Sequence, residues 1–171
     1  AIVIAFAVGI GVGGQPIVGY NFGAGNYRRV KETYRAVVLA VCIVGIIAML
    51  LFELCPQALI SLFGNESELY NQYAQLCFRI FLGGILLTCL QKVSSIFLQS
   101  MGRPLQSTLL SLARDVVFFV PALLFLAPRY GVEGMLWAAP IADVLAGILA
   151  ALLVASEMRR LTALENAPHK H

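Results

Sequence analysis

The stretch GQPIVGYNFGAGNYRRVKETYR, residues 14–35, decides between two folds for this chain. A glycine-rich turn that opens a helix can bind the phosphates of a nucleotide. An apolar segment that ends in cations is instead typical of a helix leaving a lipid bilayer. Glycines recur through the middle of the stretch, and it closes with four cations: Arg28, Arg29, Lys31 and Arg35.

The nucleotide-binding interpretation rests on one motif match. Residues 9–14, GIGVGG, fit the G-x-G-x-x-G pattern of dinucleotide-binding folds. That pattern requires a helix directly after the third glycine and an acidic residue at the end of a second strand. Pro16 follows within two residues, and Glu32, at about the required distance, lies in a basic segment with no strand before it. The sequence therefore excludes a dinucleotide-binding domain.

The composition of the chain is that of a membrane protein. Of its 171 residues, 60% are hydrophobic and 12% are charged, and the mean hydropathy is +0.85. Soluble domains carry about 25% charged residues. The net charge is only +3, and the cations form no basic stripe. We therefore expect no nucleic-acid partner. The chain starts inside an apolar run without a methionine, so we expect it to be a fragment of a longer polypeptide.

Apolar segments predict an all-α membrane protein with five transmembrane helices. A helix that crosses a bilayer needs about 20 mainly apolar residues. Residues 36–52, AVVLAVCIVGIIAMLLF, contain no charged residue. The predicted spans cover about residues 1–22, 35–54, 74–99, 106–127 and 134–156. A basic loop at 23–35, an outer loop at 56–75 and a frayed polar tail at 157–171 complete the prediction.

The distribution of cations predicts the orientation. Loops on the cytoplasmic side of a membrane protein carry an excess of Lys and Arg. One side of the five predicted spans carries nine such residues: Arg28, Arg29, Lys31, Arg35, Lys92, Arg103, Arg159, Arg160 and Lys170. The other side carries two: Arg79 and Arg129. We therefore expect a multi-pass protein of a plasma membrane, bacterial in origin, with a cytoplasmic C-terminus.

Small and sulfur-containing residues in the spans are expected to pack between helices. Two G-x-x-x-G pairs, Gly9 with Gly13 and Gly19 with Gly23, predict close helix contacts. The cysteines have no metal-ligand spacing, so we expect them to pack as small apolar residues and to hold no metal: Cys42, Cys55, Cys77 and Cys89.

Three segments of the chain resemble the multidrug and toxic compound extrusion (MATE) family of transporters. QPIVGYNFGAGNYRRV, residues 15–30, resembles the loop after the second helix of each lobe. FLQSMGRPLQSTLLSLARDVVFFVP, residues 97–121, resembles the junction of the tenth and eleventh helices, and YGVEGMLWAAPIAD, residues 130–143, resembles the entry to the twelfth. The resemblance implies five helices of the six-helix C-terminal lobe of a two-lobe, inverted-V transporter, without the N-terminal lobe and the seventh helix.

The same resemblance implies a function for the longer protein. It would be a secondary antiporter that exports organic, often cationic, drugs in exchange for sodium ions or protons by alternating access. Its partners would be membrane lipid, the missing N-terminal lobe and small organic cations, with no cofactor besides the coupling ion. Two alternatives stay open: a lipid-linked oligosaccharide flippase of the same superfamily, and a non-transporting membrane subunit. No Ser/His/Asp set is present, so we do not expect an enzyme.

Ionisable residues inside membrane spans mark functional sites by default. Arg114 in the fourth span and Asp143 in the fifth lie at similar depths in two helices joined by a short turn, so we predict that they pair. Asp115 is one residue on, about 100° around an α-helix, so we expect it to face elsewhere, toward a cavity or a polar neighbour. Pro121 predicts a kink in the same helix.

Uncharged polar residues in the spans give further candidates for the substrate or ion pathway. Gln15 lies in the first span, and Thr88, Gln91 and Ser95 share one face of the third. These side chains could line a cavity or form hydrogen bonds with a neighbouring helix. Some MATE members carry an acidic cation-binding residue on this third helix. Its absence here puts a sodium or proton site in this lobe in doubt, and coupling carboxylates are then expected in the missing N-terminal lobe.

The predicted orientation gives a direct test. Green fluorescent protein fused after His171 should be fluorescent, because it folds in the cytoplasm, whereas alkaline phosphatase fused at the same residue should be inactive. An active phosphatase fusion would contradict the orientation.

Overall fold

The computed structural model describes residues 2–54 and 68–166. Every regular element in this part of the chain is helical, which confirms the predicted all-α class. The elements are α1 (Ile2–Gly23), α2 (Tyr27–Leu54), α3 (Glu68–Ser100), α4 (Pro104–Leu112), a π-helix (Ala113–Phe119) and α5 (Val120–Glu165).

The exterior of the helices is apolar. Within residues 2–54 and 68–166, three stretches are long and apolar enough to cross a membrane: Ile2–Gly23, Tyr27–Leu51 and Pro104–Glu165. Large apolar side chains such as Leu50, Leu124 and Ile148 remain exposed. A surface of this kind is stable against hydrocarbon and costly in water, which confirms the membrane class. The third predicted span, residues 74–99, lies within α3, and its crossing of the bilayer stays a prediction.

Helix α3 occupies the centre of the bundle and contributes to both hydrophobic clusters. In one cluster, Phe97 and Leu98 of α3 are buried together with residues of α1, α2, α4 and α5. In the other, Cys89 and Val93 are buried against α1 and α2. The buried side chains of the described half of α3, from Gly84 onward, therefore meet other helices rather than lipid.

Neighbouring helices approach α1 most closely at Gly11 and Gly14, which do not belong to the predicted G-x-x-x-G pairs. A Cβ on Gly11 would lie 3.0 Å from Ile96 Cδ1, and a Cβ on Gly14 would lie 3.0 Å from Val37 Cγ2. Among the described residues, Gly9 and Gly13 have no neighbouring atom within 4 Å of that position. The contact predicted through this G-x-x-x-G pair is therefore not made within the described part of the chain.

The segment predicted to be a basic loop is mostly helical. Helix α2 begins at Tyr27, so Arg28 to Arg35 occupy its first turns. A helix of 28 residues is about 42 Å long, whereas the hydrocarbon core is about 30 Å thick. The charged turns can therefore project beyond the core without a break in the helix. The predicted outer loop falls largely outside the described residues, and its last part, from Glu68, is helical.

Gly131 interrupts α5 and separates the fourth and fifth predicted spans. Its φ of 58° and ψ of −135° are not helical. A Cβ on Gly134 would collide with the Leu126 carbonyl group, so the chain folds back tightly at this point. The turn predicted over residues 128–134 is thus confined to a single non-helical residue.

Ion pairs join helix termini at one end of the bundle, which we call the basic end: the first turns of α2, the α3–α4 turn and the last turns of α5. Lys31 Nζ lies 2.6 Å from Glu165 Oε2. The carboxylate of the buried Glu157 lies 3.6 Å from Arg103 Nη1 and 3.3 Å from Arg160 Nη1. The tail predicted to fray is therefore helical through Glu165, because these contacts fix its last turns.

The break at Gly131 gives a testable prediction. A side chain at positive φ costs about 1–3 kcal/mol, so Gly131→Ala should lower the melting temperature of the purified protein. Gly9→Ala adds the same methyl group to a regular, open position in α1 and should be neutral or slightly stabilising. Equal melting temperatures for the two variants would contradict the strained geometry at Gly131.

Candidate functional site

The predicted pair of Arg114 and Asp143 is present. Arg114 Nε donates a hydrogen bond to Asp143 Oδ1 over 2.8 Å. The Asp143 side chain is 7% exposed and the Arg114 side chain is 24% exposed. Asp143 lies on the α5 face that packs against α3, and the surrounding residues are mostly apolar, so Arg114 is the group that compensates its charge.

Asp115 binds the same guanidinium group, which corrects the expectation that it faces elsewhere. Arg114 Nη1 donates to Asp115 Oδ1 over 2.7 Å, and the Asp115 side chain is 52% exposed. The expectation assumed α-helical geometry, whereas both residues lie in the π-helix, whose wider turn changes the angle between neighbours. One arginine thus holds a buried and a half-exposed carboxylate, and the three groups carry a formal net charge of −1.

The π-helix has a local cause in the sequence. Pro121 has no N–H group, and its ring clashes with the carbonyl of the residue four positions earlier, Val117. The structure places the wider helix at Ala113–Phe119, directly before this proline. Short π-helical segments occur frequently at functional sites, and this one carries both Arg114 and Asp115.

A polar seam joins α3 to α4. It is formed by Gln91 and Ser95 on α3 and by Ser107, Leu110 and Ser111 on α4. Gln91 Nε2 donates to the Leu110 carbonyl over 3.2 Å. Ser95 Oγ lies 2.8 Å from Ser107 Oγ and 3.2 Å from Ser111 Oγ. Gln91 is fully buried, and no partner is present for its Oε1 among the described residues. The seam holds the start of the π-helix against α3.

The remaining two candidates, Thr88 and Gln15, lie apart from the charged group of Arg114, Asp115 and Asp143. Thr88 Oγ1 donates to the carbonyl of Gly84, one turn earlier on α3, over 3.2 Å. Gln15 lines a shallow groove between α1, α2 and α3, together with Tyr34 and Ser100. The groove encloses about 10 Å³, room for about one water molecule. The described residues of this lobe therefore form no enclosed drug-sized cavity of their own at Gln15.

Sequence reasoning missed three polar residues that the fold brings into contact. Ser107 and Ser111 belong to the seam, and the Tyr34 hydroxyl lies 3.0 Å from Ser94 Oγ. The spacing of Ser107 and Ser111, one helical turn apart, was an available signal for the seam. No comparable signal marks Tyr34, because its partner lies 60 residues away.

Metal ligation has no support in the described part of the chain. No group of three or more His, Cys, Asp or Glu side chains suits a metal ion among residues 2–54 and 68–166. Cys42 and Cys89 are free thiols, and the side chains of Cys55 and Cys77 lie outside the described residues.

Known proteins resemble this chain over most of its length. The multidrug export protein MepA of Staphylococcus haemolyticus (strain JCSC1435) is 24% identical over 155 residues, which are 91% of this chain and 34% of MepA. The chain thus spans about a third of the length of the curated relatives it matches.

Two solved structures share the fold. An inward-facing multidrug resistance MATE family transporter of the MOP superfamily gives a TM-score of 0.84 at 16% identity, over 98% of this chain and 38% of that one. An outward-facing conformation of such a transporter gives a TM-score of 0.82 at 18% identity, over 94% and 36%.

The family is identified by its sequence profile. The MatE profile matches residues 1–124, well over half of the 171 residues. The matched region includes α1, α2, the polar seam and the π-helix with Arg114. This match confirms the resemblance stated from the three sequence segments, and the chain belongs to the MatE family of membrane transporters.

Proposed function

We propose that this chain is the C-terminal lobe of a secondary antiporter that exports organic cations in exchange for sodium ions or protons. The missing N-terminal lobe and the seventh helix would complete the transporter. The protein would lie in the plasma membrane with its C-terminus in the cytoplasm, and it would catalyse no covalent reaction. The MepA relatives, named as multidrug export proteins, support the class of substrate.

The observation that carries the proposal is the charged group Arg114, Asp115 and Asp143 inside an otherwise apolar bundle. A charged side chain within a bilayer costs several kcal/mol, so a lobe that served only as a scaffold would not need one. Two carboxylates share one guanidinium group, with distances of 2.8 and 2.7 Å. A second cation at this group would bring its net charge to zero, and a coupling ion or a cationic drug would supply that charge.

Alternating access agrees with the packing of the lobe. The chain matches an inward-facing and an outward-facing transporter almost equally well, with TM-scores of 0.84 and 0.82. Such agreement favours a lobe that moves as one body, with rocking of the two lobes about a site between them. The shallow groove at Gln15 also favours a substrate site that the second lobe completes.

The uncharged candidates have different places in this proposal. Gln15 lines a surface groove and is a candidate for contact with substrate. Gln91 is fully buried and Thr88 is bonded to its own helix, so any role in the pathway would act through the position of the π-helix and of α3.

The flippase alternative receives less support. A pyrophosphate-linked lipid needs uncompensated cations in the cavity. The guanidinium group of Arg114, the cation within the π-helix, already binds two carboxylates. An antiporter for cations therefore fits the sign of the local charge better.

Neutralising the buried carboxylate tests the function. In proteoliposomes that contain the full-length protein, an imposed sodium or proton gradient should drive efflux of the fluorescent cation ethidium. Asp143→Asn should reduce this efflux by about tenfold or more, a barrier increase of about 1.4 kcal/mol. Glu133→Gln, which removes an exposed acid from the same helix, is the matched control and should retain efflux.

The wild-type result decides the proposal. Absence of ethidium efflux under both gradients, from a wild-type protein shown to be folded, would contradict the antiporter for organic cations. Equal efflux by Asp143→Asn and Glu133→Gln would remove the buried carboxylate from the pathway.

The ion pair itself can be tested through stability, without transport. Arg114→Gln leaves Asp143 buried without a cation and should destabilise the protein by about 3–5 kcal/mol, the cost of breaking a buried pair. Adding Asp143→Asn should recover part of this loss, because no buried charge then remains. Melting temperatures of the two single variants and the double variant measure the coupling, and strictly additive losses would contradict it.

A further inference from the structure

The Asp143 carboxylate has a different neighbour at each of its two oxygens, and only one of these contacts is the ion pair. Its Oδ1 accepts the hydrogen bond from Arg114, while its Oδ2 points at Gly84 of α3. A Cβ built on Gly84 would lie 2.8 Å from Asp143 Oδ2 and 3.6 Å from the Pro140 Cα atom. The Asp143 carboxylate therefore occupies the volume that a side chain at position 84 would take.

The contact depends on the absence of a side chain at Gly84. A distance of 2.8 Å between a Cβ atom and a carboxylate oxygen is too short for a real contact, so one of the two groups would have to move. Movement of the carboxylate would lengthen or break the 2.8 Å bond with Arg114. Movement of the α3 backbone is opposed by Pro140 and by the bond from Thr88 to the Gly84 carbonyl.

A second glycine at the α3–α5 interface, Gly147, does not share this requirement for a missing side chain. Gly147 lies one helical turn beyond Asp143 on α5, and a Cβ there would lie 3.3 Å from Leu87 Cδ2. That neighbour is the end of a flexible side chain, which can rotate away. The two glycines thus belong to the same α3–α5 contact, but only Gly84 borders a charged group.

We propose that Gly84 is a positioning residue that seats the Asp143 carboxylate between α3 and Arg114. This inference rests on the proposed antiporter, in which Asp143 belongs to the ion pathway. An alanine at position 84 would displace the carboxylate from its position beside Arg114. The affinity for the coupling cation would change, because the two carboxylates and the arginine would no longer hold their spacing.

The first experiment measures cation affinity in the full-length protein. Ethidium efflux is recorded at increasing sodium concentration and, separately, at decreasing external pH. We expect Gly84→Ala to shift the half-saturating concentration of the driving cation by about tenfold or more, and Gly147→Ala to leave it within about twofold, since small displacements of a site cost large factors. Equal half-saturating concentrations for the two variants would overturn the inference.

The second experiment does not depend on transport. Gly84→Ala should lower the melting temperature by about 2–4 °C or more in the wild type and by much less in an Asp143→Ala background, where no carboxylate occupies the volume. An equal decrease in both backgrounds would overturn the inference even if transport were active. Conversely, a wild type without efflux that retained this coupling would contradict the antiporter and leave the positioning role of Gly84 standing.

Discussion

The structure depends on the constraint that hydrocarbon offers no hydrogen-bond partner, so the buried polar groups of the bundle take their partners from the chain itself. Among the described residues, two side-chain oxygens, Gln91 Oε1 and Gln106 Oε1, are exceptions. Of the eight buried polar residues among the described ones, α3 carries four, and two of these, Gln91 and Ser95, form hydrogen bonds with α4. Asp143 is satisfied in the same way by Arg114. The apolar exterior follows from the same constraint, because polar side chains are directed inward and leave the outer faces to lipid.

Backbone irregularity and charge occur at the same place in this lobe. The π-helix ends just before Pro121 and contains Arg114 and Asp115. Helix α4, which leads directly into it, is held to α3 through the Leu110 carbonyl. Irregular backbone in a membrane is stable where neighbouring helices satisfy the freed groups. The seam supplies that support, while the basic end fixes the opposite end of α5 through Glu157 and Glu165.

From the sequence, only the depth of each charged residue within its membrane span could be predicted. Depth alone paired Arg114 with Asp143, because both lie at comparable distances from the short turn between their helices. The polar neighbour expected for Asp115 is Arg114 itself, which was not predicted, since a regular α-helix was assumed where the structure has a π-helix. The contact between Gly84 and Asp143 gave no signal at all, because 59 residues separate them and a glycine within an apolar run has many possible roles.

The sequence by itself determined the membrane class, the helical fold and the family, because hydropathy and motif spacing are local properties that tertiary contacts do not alter. Tertiary structure decided which glycines meet a neighbour, which carboxylates share an arginine, and that the segment after Glu157 is anchored rather than frayed. These features depend on the rotation of each helix about its axis and on partners distant in the chain. Rotation is fixed only when the helices pack, since the apolar faces of these spans are too uniform to specify it in advance.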